Sequence, residues 1–168
     1  TTLAYLEKSA GNNNVMAINQ MGVLYEFGNG VPLDKQKAYQ YYKKAANDYY
    51  LAAYNLAQCY FNGTGVLQDY ALALQWFERA ATEAYLPAIY NIGVFYDRGY
   101  GVAQEFNKAR GYYQQAADKG YDLAQFNIAS IYESGQGLEQ DFDKARKYFE
   151  MASQQGFVRA DYSIGNMY

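Results

Sequence analysis

The feature that most constrains this chain of 168 residues is an internal repeat. The pattern Ala-x-Tyr-Asn-(Leu/Ile)-(Ala/Gly)-x-x-Tyr begins at Ala52, returns nearly intact at Ala88, and returns at Ala124 with Phe in its third position. A looser copy begins at Ala17 and a partial copy at Ala160, so the period is 35 residues once and 36 residues three times. A fixed period of about 20 to 50 residues is typical of units that bury their apolar faces by stacking on their neighbours. The repeat therefore predicts a stacked array of similar units.

A pair of glycines lies in the middle of each copy. The pair is followed at constant spacing by an acidic residue, at Gly28/Gly30/Asp34, Gly63/Gly65/Asp69, Gly99/Gly101/Glu105 and Gly135/Gly137/Asp141. The placement predicts that the first glycine of each pair ends a helix in the left-handed conformation. The aspartates are then predicted N-caps of the next helix, and Glu105 is a poorer cap. In the third turn Tyr100 stands between the glycines, and we expect its ring to be exposed.

The second half of each copy carries a helical apolar pattern. In the second copy Tyr70, Ala73, Phe77 and Ala80 lie at i, i+3, i+7 and i+10, which places them on one face of an α-helix. Each copy is thus predicted to be two helices joined by a glycine turn.

Together these residues define a family pattern. In the second copy it comprises Ala52, Tyr54-Asn55-Leu56-Ala57, Tyr60, Gly63, Gly65-Val66, Asp69-Tyr70, Ala73, Trp76-Phe77 and Ala80-Ala81. The pattern resembles the Sel-one-like repeat, a relative of the tetratricopeptide repeat, over essentially the whole chain. The resemblance implies an all-α fold, a right-handed α/α superhelix (solenoid) of Sel-one-like helix-turn-helix repeats. It also implies an adaptor or scaffold role in bacterial host interaction, envelope and signalling systems or in eukaryotic protein quality control.

The repeat boundaries predict a single repeat domain over residues 1–168. Its parts are the second helix of a preceding repeat (1–16), four full repeats (17–51, 52–87, 88–123 and 124–159) and the first helix of a following repeat (160–168). We expect nine helices, including orphan helices at 3–10 and 160–168, and no β-strand longer than about four residues. Because both ends fall inside a repeat, we expect a fragment of a longer protein, in the bacterial cytoplasm, periplasm or exterior.

Composition narrows the function classes. A net charge of −3 lacks the basic footprint expected for nucleic-acid or anionic-membrane binding. No apolar run approaches the roughly 18 to 20 residues that span a bilayer, so direct membrane insertion is not predicted. The chain has no histidine, and Cys59 is its only cysteine, at a position that other copies fill with Leu24, Phe95 or Ile131. We therefore predict a buried apolar Cys59 and no metal or cofactor.

A predicted binding surface follows from the angular position of residues on the first helices. At about 100° per residue, Ala53, Leu56, Ala57 and Tyr60 cluster on one side and face inward. The other side is expected to line a concave groove, as first helices do in tetratricopeptide-like arrays. The predicted partner-binding residues are Tyr54, Asn55, Gln58, Phe61, Tyr90, Asn91, Val94, Asp97, Arg98, Phe126, Asn127 and Ser130. This surface is aromatic, rich in amides and mildly acidic, and it favours a protein or peptide partner.

Several alternatives stay open at this point. Asn55, Asn91 and Asn127 hold equal places in consecutive copies, where their amides suit either a ligand backbone or hydrogen bonds within the protein. Aromatic rings beside amides and carboxylates also suit a glycan or cell-wall polysaccharide. Asp97 and Glu133 are the only plausible catalytic carboxylate pair, and without a nucleophile and base we predict no enzyme. Exposed terminal repeats would allow end-to-end self-association.

Overall fold

The computed structural model describes residues 2–167, and its fold is an all-α helical repeat solenoid. The helices of that range are α1 (Thr2–Gly11), α2 (Val15–Phe27), α3 (Lys35–Ala45), α4 (Tyr50–Asn62), α5 (Tyr70–Ala81), α6 (Leu86–Arg98), α7 (Phe106–Asp118), α8 (Asp122–Ser134), α9 (Phe142–Gln154) and α10 (Val158–Asn166). No β-strand occurs between residues 2 and 167. The expected number of nine helices is wrong, because two orphan helices and four pairs make ten. Tyr168, the predicted last residue of the final helix, lies outside the described residues.

The helices form two compact units, Thr1–Tyr85 and Leu86–Tyr168. The first unit has a core cluster of Ala10, Ala17, Ile18, Met21, Ala45 and Ala52. The second unit has a core cluster of Ala129, Ala145, Phe149, Ala152 and Ala160. In both clusters alanine predominates, since a small side chain lets neighbouring helices approach closely. The single repeat domain and its boundaries stay a prediction.

The predicted inward face of α4 is confirmed by burial. Ala53, Leu56 and Ala57 are completely buried and Tyr60 is 8% exposed. Cys59 is also buried, and burial raises the pKa of its thiol to about 12. A thiol with this pKa stays protonated near neutral pH and packs as a small apolar group.

The turns between paired helices have the predicted chemistry. The first glycine of each pair has a φ of +69° to +70°, and the carboxylates of Asp34, Asp69 and Asp141 accept hydrogen bonds of 2.9 to 3.0 Å from backbone amides three residues later. Glu105 makes no such side-chain bond, in agreement with its expected weakness as a cap. The expectation for Tyr100 is wrong. Its ring is half-buried and packs edge-on against Phe95 with ring centroids 5.8 Å apart.

In two of the repeats, a glycine in the first helix packs against a tyrosine in the second helix. A Cβ atom added to Gly22 would lie 2.5 Å from Cε1 of Tyr42, and one added to Gly93 would lie 2.8 Å from Cδ1 of Tyr113. The other two repeats instead combine alanine with phenylalanine at the same positions, as Ala57 with Phe77 and Ala129 with Phe149. At Gly22 and Gly93, the missing methyl group thus leaves the room that the tyrosine ring occupies.

Candidate partner-binding site

The aromatic residues predicted as anchors are each packed between two other rings. One of these rings comes from the second helix of the repeat and one from the link that follows it. The three groups are Tyr54 with Phe77 and Tyr85, Tyr90 with Tyr113 and Tyr121, and Phe126 with Phe149 and Phe157. Centroid separations run from 5.1 to 5.5 Å, within the range of favourable aromatic pairs. Tyr54, Tyr90 and Phe126 are therefore half-buried and contribute to packing as well as to the surface.

The asparagines that recur between the copies bind within the protein. Asn55 Nδ2 donates to Asn19 Oδ1 at 3.0 Å, and Asn127 Nδ2 donates to the Tyr90 hydroxyl at 3.2 Å. Asn19 and Tyr90 hold the same position in their repeats, so these two bonds are equivalent links between one repeat and the next. Asn91 Nδ2 donates to the Pro87 carbonyl of its own helix at 2.8 Å. Of the two roles open to these amides, the contacts support hydrogen bonding within the fold.

The predicted residues are divided between the two units. The α4 helix of the first unit carries Tyr54, Asn55, Gln58 and Phe61. Gln58 Nε2 donates to the Tyr54 hydroxyl at 3.0 Å. The rings of Phe61 and Tyr70 pack with their centroids 5.6 Å apart. Tyr90, Asn91, Val94, Asp97 and Arg98 lie on α6, and Phe126, Asn127 and Ser130 lie on α8 of the second unit. One groove formed by all of them stays a prediction.

A cleft of about 340 Å³ in the second unit brings four of the predicted residues together. Asp97 and Arg98 come from the end of α6, and Asn127 and Ser130 come from α8. Five further residues complete the lining: Tyr113, Ile131, Glu133, Ser134 and Gln136. We call this the α6/α8 cleft. It combines carboxylates, hydroxyls and amides around an aromatic floor, which suits recognition of a polar chain by directed hydrogen bonds.

The electrostatic balance of the α6/α8 cleft is slightly acidic. Arg98 Nε lies 3.4 Å from Asp97 Oδ2, with the arginine side chain 66% exposed, so this ion pair is a weak surface contact. The Glu133 carboxylate adds a second negative charge to the lining. Burial and the charge of Asp97 raise the pKa of Tyr113, and burial raises that of Tyr90. Both phenols are therefore neutral near pH 7 and serve as hydrogen-bonding groups.

Tyr113 lines the cleft but is not among the residues predicted from the sequence. It aligns with Phe77 and Phe149, which have no hydroxyl group, so the alignment gives no indication of a polar role. Gly93 is the signal that distinguishes it, because Gly accompanies Tyr and Ala accompanies Phe within this one chain. In the first unit the equivalent Tyr42 hydroxyl donates to Glu26 Oε2 at 2.5 Å, and Glu26 corresponds to Asp97.

Residues 2–167 contain no group of three or more Cys, Asp or Glu side chains placed to hold a metal ion. Within the same range, no helix is both long enough and apolar enough to cross a membrane.

The family model that matches the chain is the Sel1 repeat, at residues 15–49, 51–85, 86–121 and 122–157. The chain belongs to the Sel1 repeat family. Members of this family are generally scaffolds for protein interaction rather than enzymes. A search of curated protein sequences finds no match.

Solved structures of Sel1 repeat proteins have the same fold. A Sel1 repeat protein from Oxalobacter formigenes is 34% identical with a TM-score of 0.92, and the match covers 99% of this chain and 68% of that one. The protein c5321, described as a protective antigen present in uropathogenic Escherichia coli strains, is 28% identical with a TM-score of 0.92, covering 99% of this chain and 36% of that one. The immunity protein Pa5087 from Pseudomonas aeruginosa shares the fold. It is 24% identical with a TM-score of 0.62, and the match covers 94% of this chain and 59% of that one.

Proposed function

We propose that this Sel1 repeat chain is a non-catalytic adaptor that binds an extended peptide segment of a partner protein along its first helices. The observation that supports this most directly is the α6/α8 cleft, in which Asp97, Arg98, Asn127 and Ser130 surround one space. Rings locked by their neighbours lose little entropy when a partner binds, which is how a rigid scaffold gains affinity. In the first unit, α4 carries predicted residues of the same aromatic and amide types.

The charge of the cleft indicates which peptide it prefers. Asp97 and Glu133 contribute two carboxylates against the single guanidinium of Arg98. A lysine or arginine of the peptide would balance the excess negative charge. The Ser130 hydroxyl donates to the Phe126 carbonyl at 3.1 Å, so its oxygen and Asn127 Oδ1 would accept hydrogen bonds from peptide N–H groups. Charge complementarity of this kind governs specificity and association rate more than total affinity.

The proposal predicts a charge-specific loss of peptide binding. A peptide library is screened against the purified chain, and the best basic peptide is then titrated by fluorescence anisotropy. We expect Glu133→Gln to weaken binding about tenfold, or about 1.4 kcal/mol, because one cleft charge is removed while the side-chain shape is kept. Glu150→Gln, on the exposed face of α9, removes the same charge elsewhere and should leave affinity unchanged. Equal losses in the two variants would contradict the cleft assignment.

Glycan binding is the other candidate function of the same surface, and the same titration separates it. Cell-wall and capsular oligosaccharides are titrated in parallel with the peptides. Saturable binding of an oligosaccharide that Glu133→Gln reduces, with no peptide bound, would replace the peptide proposal with the glycan one. The Arg159 guanidinium carbon lies 5.0 Å from the Phe126 ring centroid, so this ring is partly covered, which disfavours stacking of a sugar on it.

We also propose that α10 supports end-to-end association of two copies. Val158 and Tyr162 lie one helical turn apart on α10 and are 76% and 75% exposed. In the preceding repeat, the residue equivalent to Tyr162 is Phe126, which packs against two rings. The α1 helix of a second copy, where Tyr5 is 73% exposed, offers a matching second-helix face. Because this head-to-tail contact leaves a free α1 and a free α10, sedimentation equilibrium should show concentration-dependent oligomers that Tyr162→Lys abolishes. A monomer at all concentrations would contradict this association.

A further inference from the structure

The α3 helix concentrates positive charge in a chain that is acidic overall. The whole chain has 14 Lys and Arg against 17 Asp and Glu. Within Lys35–Ala45, however, four residues are lysine and none is acidic. All four lysines, Lys35, Lys37, Lys43 and Lys44, are exposed. The packing of α3 does not depend on these lysines, because the buried side of the helix consists of alanine and tyrosine.

Three of the four positive charges lie along one side of the helix together with two amides. Ala38, Tyr39, Tyr42 and Ala45 are the buried positions of α3. At about 100° per residue, the opposite side is formed by Gln36, Gln40, Lys37, Lys43 and Lys44, all of which are exposed. We call this side the α3 basic face.

Aromatic contacts hold one edge of the α3 basic face in place. Tyr41 stacks on Tyr25 with ring centroids 5.6 Å apart and planes 8° apart. Lys37 Nζ lies 4.0 Å from the Tyr25 ring centroid and donates to the Tyr25 hydroxyl at 2.6 Å. Lys37 and Tyr41 therefore form a fixed wall. Lys43 Nζ lies 5.7 Å from the Tyr39 ring centroid, and the side chains of Lys43 and Lys44 are both exposed.

A small cleft lies on this face. It has a volume of about 270 Å³ and is lined by Lys37, Gln40, Tyr41 and Lys44. Its walls are mostly apolar, because they are formed by the Tyr41 ring and the aliphatic stems of the lysines. The space suits one apolar side chain with anionic groups on either side of it.

We propose that the α3 basic face binds an acidic segment of a partner protein, with an apolar side chain in the cleft and flanking carboxylates on Lys43 and Lys44. This site lies in the first unit and is separate from the α6/α8 cleft, which prefers a basic peptide. An adaptor with two surfaces of opposite preference can hold two different segments at once.

The same observations disfavour a polyanionic nucleic acid or membrane. Polyanion binding strengthens with the number of neutralised phosphates, and membrane-binding clusters use about four to eight basic residues. Here only three lysines, Lys37, Lys43 and Lys44, lie on the α3 basic face, in a chain of net charge −3 whose acidic groups repel an extended polyanion. A short acidic segment needs only the local charges, since at physiological salt screening acts beyond about 8 Å.

The test uses a fluorescein-labelled eight-residue peptide with a central leucine flanked by glutamates, titrated against the whole chain at low and physiological salt. We expect saturable binding that weakens with salt. Replacing the glutamates with glutamines should abolish it, and replacing the leucine with serine should weaken it about tenfold because the cleft is then unfilled.

Matched variants assign the binding to the helix. Lys43→Glu combined with Lys44→Glu should weaken binding at least about tenfold. Lys119→Glu combined with Lys147→Glu changes the net charge equally at exposed positions of the second unit and should have little effect. Far-UV circular dichroism confirms that both variants remain helical.

Four outcomes would overturn the proposal: no binding by the parent chain, an unchanged affinity in the α3 variant, equal losses in both variants, or tighter binding to an oligothymidylate or to phosphatidylserine vesicles than to the acidic peptide.

Discussion

Replacing Gly65 with alanine should destabilise the first unit by about 4 kcal/mol or more, one of the largest effects of any single methyl group. The added Cβ would lie 2.1 Å from the Lys35 carbonyl oxygen and 2.5 Å from its carbonyl carbon. Both atoms belong to the backbone at the start of α3, so no side-chain rotation relieves the contact. Gly65 also has a φ of +71°, which L-residues rarely adopt. Chemical denaturation of the purified variant measures the loss.

Gly30 provides the control for this substitution because it holds the same turn position in the preceding repeat. Its φ is +76°, yet a Cβ there would meet no atom within 4 Å. Gly30→Ala should therefore cost only the left-handed backbone penalty of about 1 to 2 kcal/mol. If the two substitutions destabilise equally, the close approach of Gly65 to Lys35 contributes nothing and the turn conformation alone matters.

Gly93→Ala should destabilise the second unit by about 2 to 3 kcal/mol because it overpacks a buried seam. The new Cβ would lie 2.8 Å from both Cδ1 and Cε1 of Tyr113 and 3.3 Å from the Ala109 carbonyl oxygen. Tyr113 is only 2% exposed, so its ring has little room to move. Chemical denaturation measures the loss of stability. Because Tyr113 also lines the α6/α8 cleft, the variant should bind the basic peptide more weakly even below its melting temperature.

Two further variants isolate the cause. Gly111 lies in the middle of α7, where an added Cβ would meet no atom within 4 Å, so Gly111→Ala should stabilise the helix by about 0.5 to 1 kcal/mol. Adding Tyr113→Phe to Gly93→Ala reproduces the alanine and phenylalanine combination of two other repeats. The double variant should lose at least about 1 kcal/mol less than the sum of the single losses. Strict additivity would show that the two positions do not share a packing constraint.

Much of the fold was predictable because its determinants are local and repeated. The left-handed glycines and the aspartate caps depend on atoms within about five residues of each other, so the same short pattern predicts the same geometry in every copy. The exposed ring expected for Tyr100 was wrong, although the partner of this ring, Phe95, is only five residues away. Its packing on Phe95 depends on how the turn folds back onto the preceding helix.

The candidate site was predictable in part. Angular position on the first helices identified Asp97, Arg98, Asn127 and Ser130, which share one cleft. It did not identify Tyr113, because that residue lies on α7, the second helix of its pair, whereas only first helices were considered.

The sequence by itself determined the helix pairs, the turns between them and the inward face, because helical phase and turn geometry depend on residues close in the chain. Only the tertiary structure decided which polar groups are already used within the protein. Asn55 bonds to Asn19 across 36 residues, and Asn127 bonds to Tyr90 across 37. Such contacts depend on how closely neighbouring helices approach, which is set by the combined volumes of several side chains and is not encoded at any one position.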